Sequence, residues 1–99
     1  MIHVLAIITA KTGQRSSLLQ AFKAIVPTVH AEAGCIEYGP VVDVDGADPS
    51  FGPDTFVVVE KWESMAALQA HAAAPHMKVY GEKTKNLVAK RAVHVLTGA

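Results

Sequence analysis

The stretch Thr55–Met77, TFVVVEKWESMAALQAHAAAPHM, concentrates side chains that can hold a proton or pack on an aromatic ring: Glu60, Trp62, His71 and His76, with Tyr80 just beyond. Its first residues, Thr55 to Val59, are β-branched or aromatic and predict a buried strand. The side-chain period of two then puts Phe56, Val58, Glu60 and Trp62 on one face. A carboxylate in line with three apolar residues is either exposed at the strand's end, where a Lys or Arg would pair with it, or held in an apolar pocket. The pocket would raise its pKa and equip it as a proton acceptor. Trp62 can stack on an aromatic ligand or serve as a core or interface residue. Histidine titrates near neutrality, so His71 and His76 can orient or deprotonate a hydroxyl. They are five residues apart, about 140° around a regular helix, and share a face only if a break near Pro75 realigns them. His76 alternatively reads as a solvated first-turn residue. Tyr80, one turn beyond it, reads as a hydrogen-bonding wall or as core. Tyr38 and Phe22 read first as core and second as ligand contacts.

Other chemistries find less support. There is no H-E-x-x-H and no cysteine cluster, so no metal site is expected. Asp43-Val44-Asp45-Gly46-Ala47-Asp48 superficially resembles a calcium loop, but its glycine is fourth rather than sixth. His3 and His94, on strands expected to be neighbours, read as a possible pair or as two structural histidines. Nine basic and nine acidic residues cancel, with no basic stripe, which argues against nucleic acid as a partner. The apolar run Ile2–Ala10 is too short to span a bilayer and lacks the positive start of a signal peptide. The lone Cys35 allows no internal disulfide and suits a reducing compartment. A cytoplasmic protein without a membrane partner is the expectation.

The elements that must position these residues follow from periodicity. Ile2–Ala10 reads as a strand, and Lys11–Gln14 as a turn. Ser16 or Ser17 would cap a helix to Val29, which Pro27 should kink or end, leaving His30–Gly34 as a tail. Cys35–Val44 reads as a second strand, with Gly39-Pro40 marking a bulge or an edge. Asp45–Asp54 is a loop and Thr55–Trp62 the third strand. Ser64 caps a helix to about Ala73, and Pro75 opens another after a break near Ala74. Lys90–Thr97 closes as a fourth strand. The order β-α-β-β-α-β is the ferredoxin-like α+β arrangement with a four-stranded antiparallel sheet, expected to form one domain over residues 1–99.

Two helical regions can cover only one face of such a sheet, yet the strands are apolar on both. Leu5 and Ile7 oppose Val4 and Ile8; Val57 and Val59 oppose Phe56 and Val58. The chain is 51% hydrophobic and only 18% charged. The uncovered face would be a large apolar patch, so a homodimer packed sheet to sheet is expected.

Glu32-Ala33-Gly34-Cys35 leading to Tyr38, then Glu60-Lys61-Trp62-Glu63-Ser64, then His71 and Pro75-His76-Met77, resembles the antibiotic biosynthesis monooxygenase family, and within it the small bacterial quinol monooxygenases. The likeness runs from Ile2 to about Leu96. It implies a dimeric α/β barrel with its pocket between sheet and helices. It also implies oxidation of a quinol or phenolic aromatic by molecular oxygen, with no cofactor. Carried onto this chain, it assigns Glu60 and His76 to catalysis and Trp62, His71, Tyr80, Tyr38 and Phe22 to substrate binding. Haem-degrading relatives of this fold resemble one another in a first-strand Asn, a helical Trp and a His about ten residues later. Here the first strand lacks Asn, and the two helical positions are His71 and Gly81, so haem is not expected. A non-catalytic ligand-binding or stress-response protein, or an isomerase on the same fold, remains the alternative.

Overall fold

The computed structural model describes Met1–Ala99. The elements are β1 (Ile2–Ala10), α1 (Arg15–His30), β2 (Cys35–Val41), β3 (Thr55–Trp62), α2 (Met65–Ala73), α3 (Pro75–Thr84) and β4 (Val88–Thr97). The four strands form one antiparallel sheet in the order β2-β3-β1-β4, and the fold is the expected ferredoxin-like α+β arrangement. In the β1–β3 ladder Val4 lies opposite Glu60 and Ala6 opposite Val58; in the β2–β3 ladder Tyr38 lies opposite Glu60. One face of the sheet therefore presents Val4, Ala6, Phe56, Val58, Glu60, Trp62 and Tyr38 together, and the apolar ones join Leu18, Phe22 and Val29 of α1 in the core.

Several boundaries differ from expectation. Helix α1 starts at Arg15 with no side-chain cap, not behind Ser16 or Ser17. Its start is tied instead to the third strand, through Arg15 Nη1 to the Thr55 carbonyl at 3.1 Å and Gly13 N to Asp54 Oδ1 at 3.0 Å. The helix also runs through Pro27 to His30. Pro27 stands in the last turn, and its own carbonyl still accepts from Ala31 N at 3.2 Å. Strand β2 stops at Val41 because the Asp43 carboxylate accepts from Phe51 N and Gly52 N, each at 3.0 Å, and draws the chain into the loop. That engagement also gives Asp43 a structural task in place of a calcium-loop one. The irregularity in β2 lies between Cys35 and Glu37 rather than at Gly39-Pro40; Pro40 is tolerated because β2 is a sheet edge. Strand β4 begins at Val88, earlier than Lys90.

The second helical region breaks where expected. Ser64 Oγ accepts from Ala67 N, α2 ends at Ala73, Ala74 is extended with ψ 139°, and Pro75 opens α3. Only one sheet face is covered. On the other, Leu5 is 37% exposed, Val41 48% and Leu96 45%. His3 and His94 lie on this outer face, in diagonal register across β1 and β4, with no hydrogen bond between them.

Gly34 sets how closely the turn after α1 meets α2. Its φ is +83°, and a Cβ there would lie 2.5 Å from the Ala67 side chain, while its carbonyl accepts from Glu63 N at 2.8 Å. Gly34→Ala should cost about 2–4 kcal/mol, combining left-handed strain with overpacking. Urea unfolding checks this, and adding Ala67→Gly should restore the overpacking part.

Candidate active site

Between the inner sheet face and the helices lies a cavity of about 520 Å³. That is within the range of small-molecule sites, roughly 300–1,000 Å³. Its walls are mostly apolar, from Val4, Ala6, Ile8 and Val58 on the sheet to Phe22, Leu68 and Met77 on the helices. Of the residues predicted to form a site, Glu60, His71, Tyr38, Tyr80 and Phe22 line it. Phe22 and Tyr38 stack at 5.3 Å between ring centroids, and Tyr80 meets Phe22 edge-on.

Glu60 is a buried carboxylate in a largely apolar setting. It is 6% exposed, and its register neighbours Val4 and Tyr38 are themselves buried. Trp62 Nε1–H donates to Glu60 Oε1 at 2.9 Å. Burial pushes the carboxyl pKa up; the Trp62 bond, then positive charge on His71 and on Arg91, pull against that rise. The strand-end ion pair considered from the sequence is absent, for Lys61 on the opposite face takes Glu37 instead, at 3.2 Å. Tyr38 and Tyr80 are both pushed above the ordinary tyrosine range by burial, so their hydroxyls stay protonated at neutral pH.

Trp62 and His76 are placed differently from expectation. Trp62 is fully buried and is not on the cavity surface, because its N–H is turned to Glu60 and its ring packs on His71 at 4.6 Å. It supports the carboxylate rather than offering a stacking platform. His76 also lies off the cavity wall, held from outside by Glu32, with Nε2 at 2.9 Å from Glu32 Oε2. The same oxygen accepts from His71 Nδ1 at 2.9 Å. The extended Ala74 is what realigns the two histidines, so residues on separate faces of a regular helix converge on one carboxylate.

No buried side-chain nitrogen or oxygen is left without a partner. Glu60 Oε2 and His71 Nε2 make no hydrogen bond within the protein, so each must reach open space, and both residues line the cavity. Glu60 Oε2 and His71 Nε2 thus face one largely apolar chamber. No group of three or more His, Cys, Asp or Glu side chains is placed to hold a metal ion. Phe51 does not line the chamber; the loop carrying it sits over Val41, Thr55 and Val57 near the β2 edge.

Sequence reasoning missed Glu32 as a site residue, as well as Arg91, Lys78, Lys85 and Thr84 on the cavity rim. Arg91 was accessible to it: it lies in register with Ile8 on β1, and the period of two places it on the same face as Val93. Glu32 gave no periodic signal, since it stands in a turn.

Removing the Trp62 donor should raise the Glu60 pKa further, because the bond stabilises the ionised form. Trp62→Phe is expected to shift the Glu60 carboxyl titration to higher pH by NMR and to cost about 1–3 kcal/mol for the polar group left unpaired.

The family model described as "Antibiotic biosynthesis monooxygenase" matches residues 1–83. A protein of Escherichia coli (strain K12) named "Probable quinol monooxygenase YgiN" is 42% identical over 100 residues, spanning 97% of this chain and 96% of its own length. A solved structure from Pseudomonas aeruginosa superposes with a TM-score of 0.84 at 26% identity, covering 99% of this chain and 93% of that one. One from Mycobacterium tuberculosis has a TM-score of 0.82 at 27% identity, covering 99% and 94%.

Proposed function

This chain belongs to the antibiotic biosynthesis monooxygenase family, and we propose on that premise that it oxidises a quinol or related phenol with molecular oxygen, without a cofactor. The observation that carries the proposal is Glu60: a buried carboxylate fixed at one oxygen by Trp62 and open at the other to an apolar cavity. An aromatic ring of one or two fused cycles fits the chamber's volume and its Phe22, Tyr38 and Tyr80 walls. The name of the Escherichia coli relative supports the quinol class.

The chemistry asks little of the protein. Glu60 Oε2 takes the proton of a substrate hydroxyl, as a general base within hydrogen-bond reach. Its raised pKa makes it a stronger proton acceptor than an exposed carboxylate. The resulting anion is electron-rich and gives electrons to oxygen. With a naphthoquinol the balanced outcomes are two. Insertion gives a hydroxyquinone and one water from quinol and oxygen; oxidation alone gives the quinone and hydrogen peroxide. Stabilising the anion is common to both.

Oxygen uptake with a naphthoquinol should exceed spontaneous autoxidation in buffer. Glu60→Gln keeps an oxygen for the Trp62 donor but cannot take a proton, and should lower kcat by about 10²-fold or more with a smaller change in KM. No acceleration across a panel of quinols would favour a ligand-binding role, and an unchanged kcat would remove Glu60 from the mechanism.

The working unit under this proposal is a homodimer, with a second copy seated on the uncovered sheet face. Leu5, Ile7, Val59 and Leu96 make that face apolar, and β4 adds Val93 and Val95 on its other side at 46% and 48% exposure. Soluble monomers rarely leave such a surface open. Sedimentation at micromolar concentration should give twice the chain mass, and Leu5→Glu should shift it toward the monomer.

A further inference from the structure

We propose that Glu32 is the positioning residue of a carboxylate–imidazole dyad, and that the dyad makes His71 a second proton carrier beside Glu60. This rests on the oxidation proposed above and adds a role that Glu60 alone leaves unfilled. A quinol carries two hydroxyl protons, and both leave the ring when it becomes a quinone. In the balanced oxidation, quinol plus oxygen gives quinone plus hydrogen peroxide, and both protons end on the reduced oxygen. One carboxylate can carry only one of them at a time.

The geometry supplies the second carrier. An ionised carboxylate only accepts hydrogen bonds. His71 Nδ1, at 2.9 and 3.2 Å from the two Glu32 oxygens, must therefore be the protonated nitrogen of the neutral ring. The lone pair is then on Nε2, which has no partner in the protein and opens onto the cavity. The ring packs against Trp62 at 4.6 Å and Tyr38 at 5.4 Å between centroids. When Nε2 takes a proton from a substrate hydroxyl, the imidazolium keeps Nδ1–H on Glu32, whose negative charge stabilises it. Returning the Nε2 proton to the reduced oxygen restores the neutral ring. His76 donates to the same Glu32 oxygen from a more exposed position, with 32% of its side chain accessible against 8% for His71. Glu32 does not line the cavity and touches no substrate; its effect passes through His71.

The first test needs no substrate. In the full chain at neutral pH, 15N NMR of the imidazoles should show His71 protonated at Nδ1 with Nε2 free. In Glu32→Ala, which leaves no acceptor for Nδ1–H, that tautomer preference should be lost. A His71 ring protonated at Nε2, or one unaffected by Glu32→Ala, overturns the proposal whatever the activity. The second test uses oxygen uptake. Glu32→Gln should lower kcat tenfold or more with KM within about twofold, and Glu32→Asp should recover part of the loss. An unchanged kcat, or equal losses for Gln and Asp together with lost thermal stability, would reduce Glu32 to a structural residue. If the wild-type protein shows no oxygen uptake, the quinol proposal fails on its own, while the NMR result still decides whether the dyad exists.

Discussion

The sheet wall of the site depends on the hydrogen bond from Trp62 to Glu60. Burying a carboxylate among Val4, Val58 and Tyr38 opposes its ionisation, and an unpaired buried charge would be costly. The indole N–H meets one oxygen and leaves the other free. A second protein donor would satisfy the carboxylate and weaken it as a base; none would leave it still harder to ionise. The period of the strand makes the arrangement possible, because residues two apart share a face and a tryptophan can reach back along it. Trp62 thus joins the fold to the site, as a fully buried core residue whose one polar atom is committed to the carboxylate.

The opposite wall depends on two backbone features away from the sheet. Gly34 lets the turn after α1 approach Ala67 more closely than any side chain would allow, which sets Glu32 near the end of α2. Ala74, extended between two helices, turns the chain so that His71 and His76 meet that carboxylate. Neither feature touches the cavity. Their positions nonetheless decide whether the His71 ring is oriented or free to rotate, and an oriented ring keeps its Nε2 on the cavity side.

The fold was largely legible because its signals are local and periodic. The alternation in β3, the Ser64 cap and the Pro75 restart each depend on neighbours in sequence, and each appears where expected. Pro27 left the end of α1 open by a few residues, because propensity alone does not say whether a proline in the last turn ends the helix. The cavity side of Glu60 was half legible: its face could be read, its burial could not, since burial depends on Tyr38 of β2 and Val4 of β1 lying on either side. Glu32 was illegible as a site residue. It stands in a turn, and its contacts span 39 and 44 positions to His71 and His76. Trp62 stayed open between two readings for a related reason: an indole suits a substrate wall or a core equally well, and the direction of its N–H decides.

The exposed strand β4 links the site to the proposed pairing. Arg91 and Val93 line the cavity, yet they belong to an edge strand whose residues from Ala89 onward are all exposed. Inner and outer faces of the sheet are therefore not independent there. In the proposed homodimer, a second copy against the outer face would bury Leu5 and Leu96 and steady the strand that carries Arg91. Arg91 contributes positive charge near Glu60 and Tyr80, so the order of that edge bears on how readily either group ionises. On this reasoning the apolar outer face does more than invite association. Covering it restrains one wall of the chamber, and the same two-faced apolar pattern in the strands accounts for both the pocket and the surface that would support it.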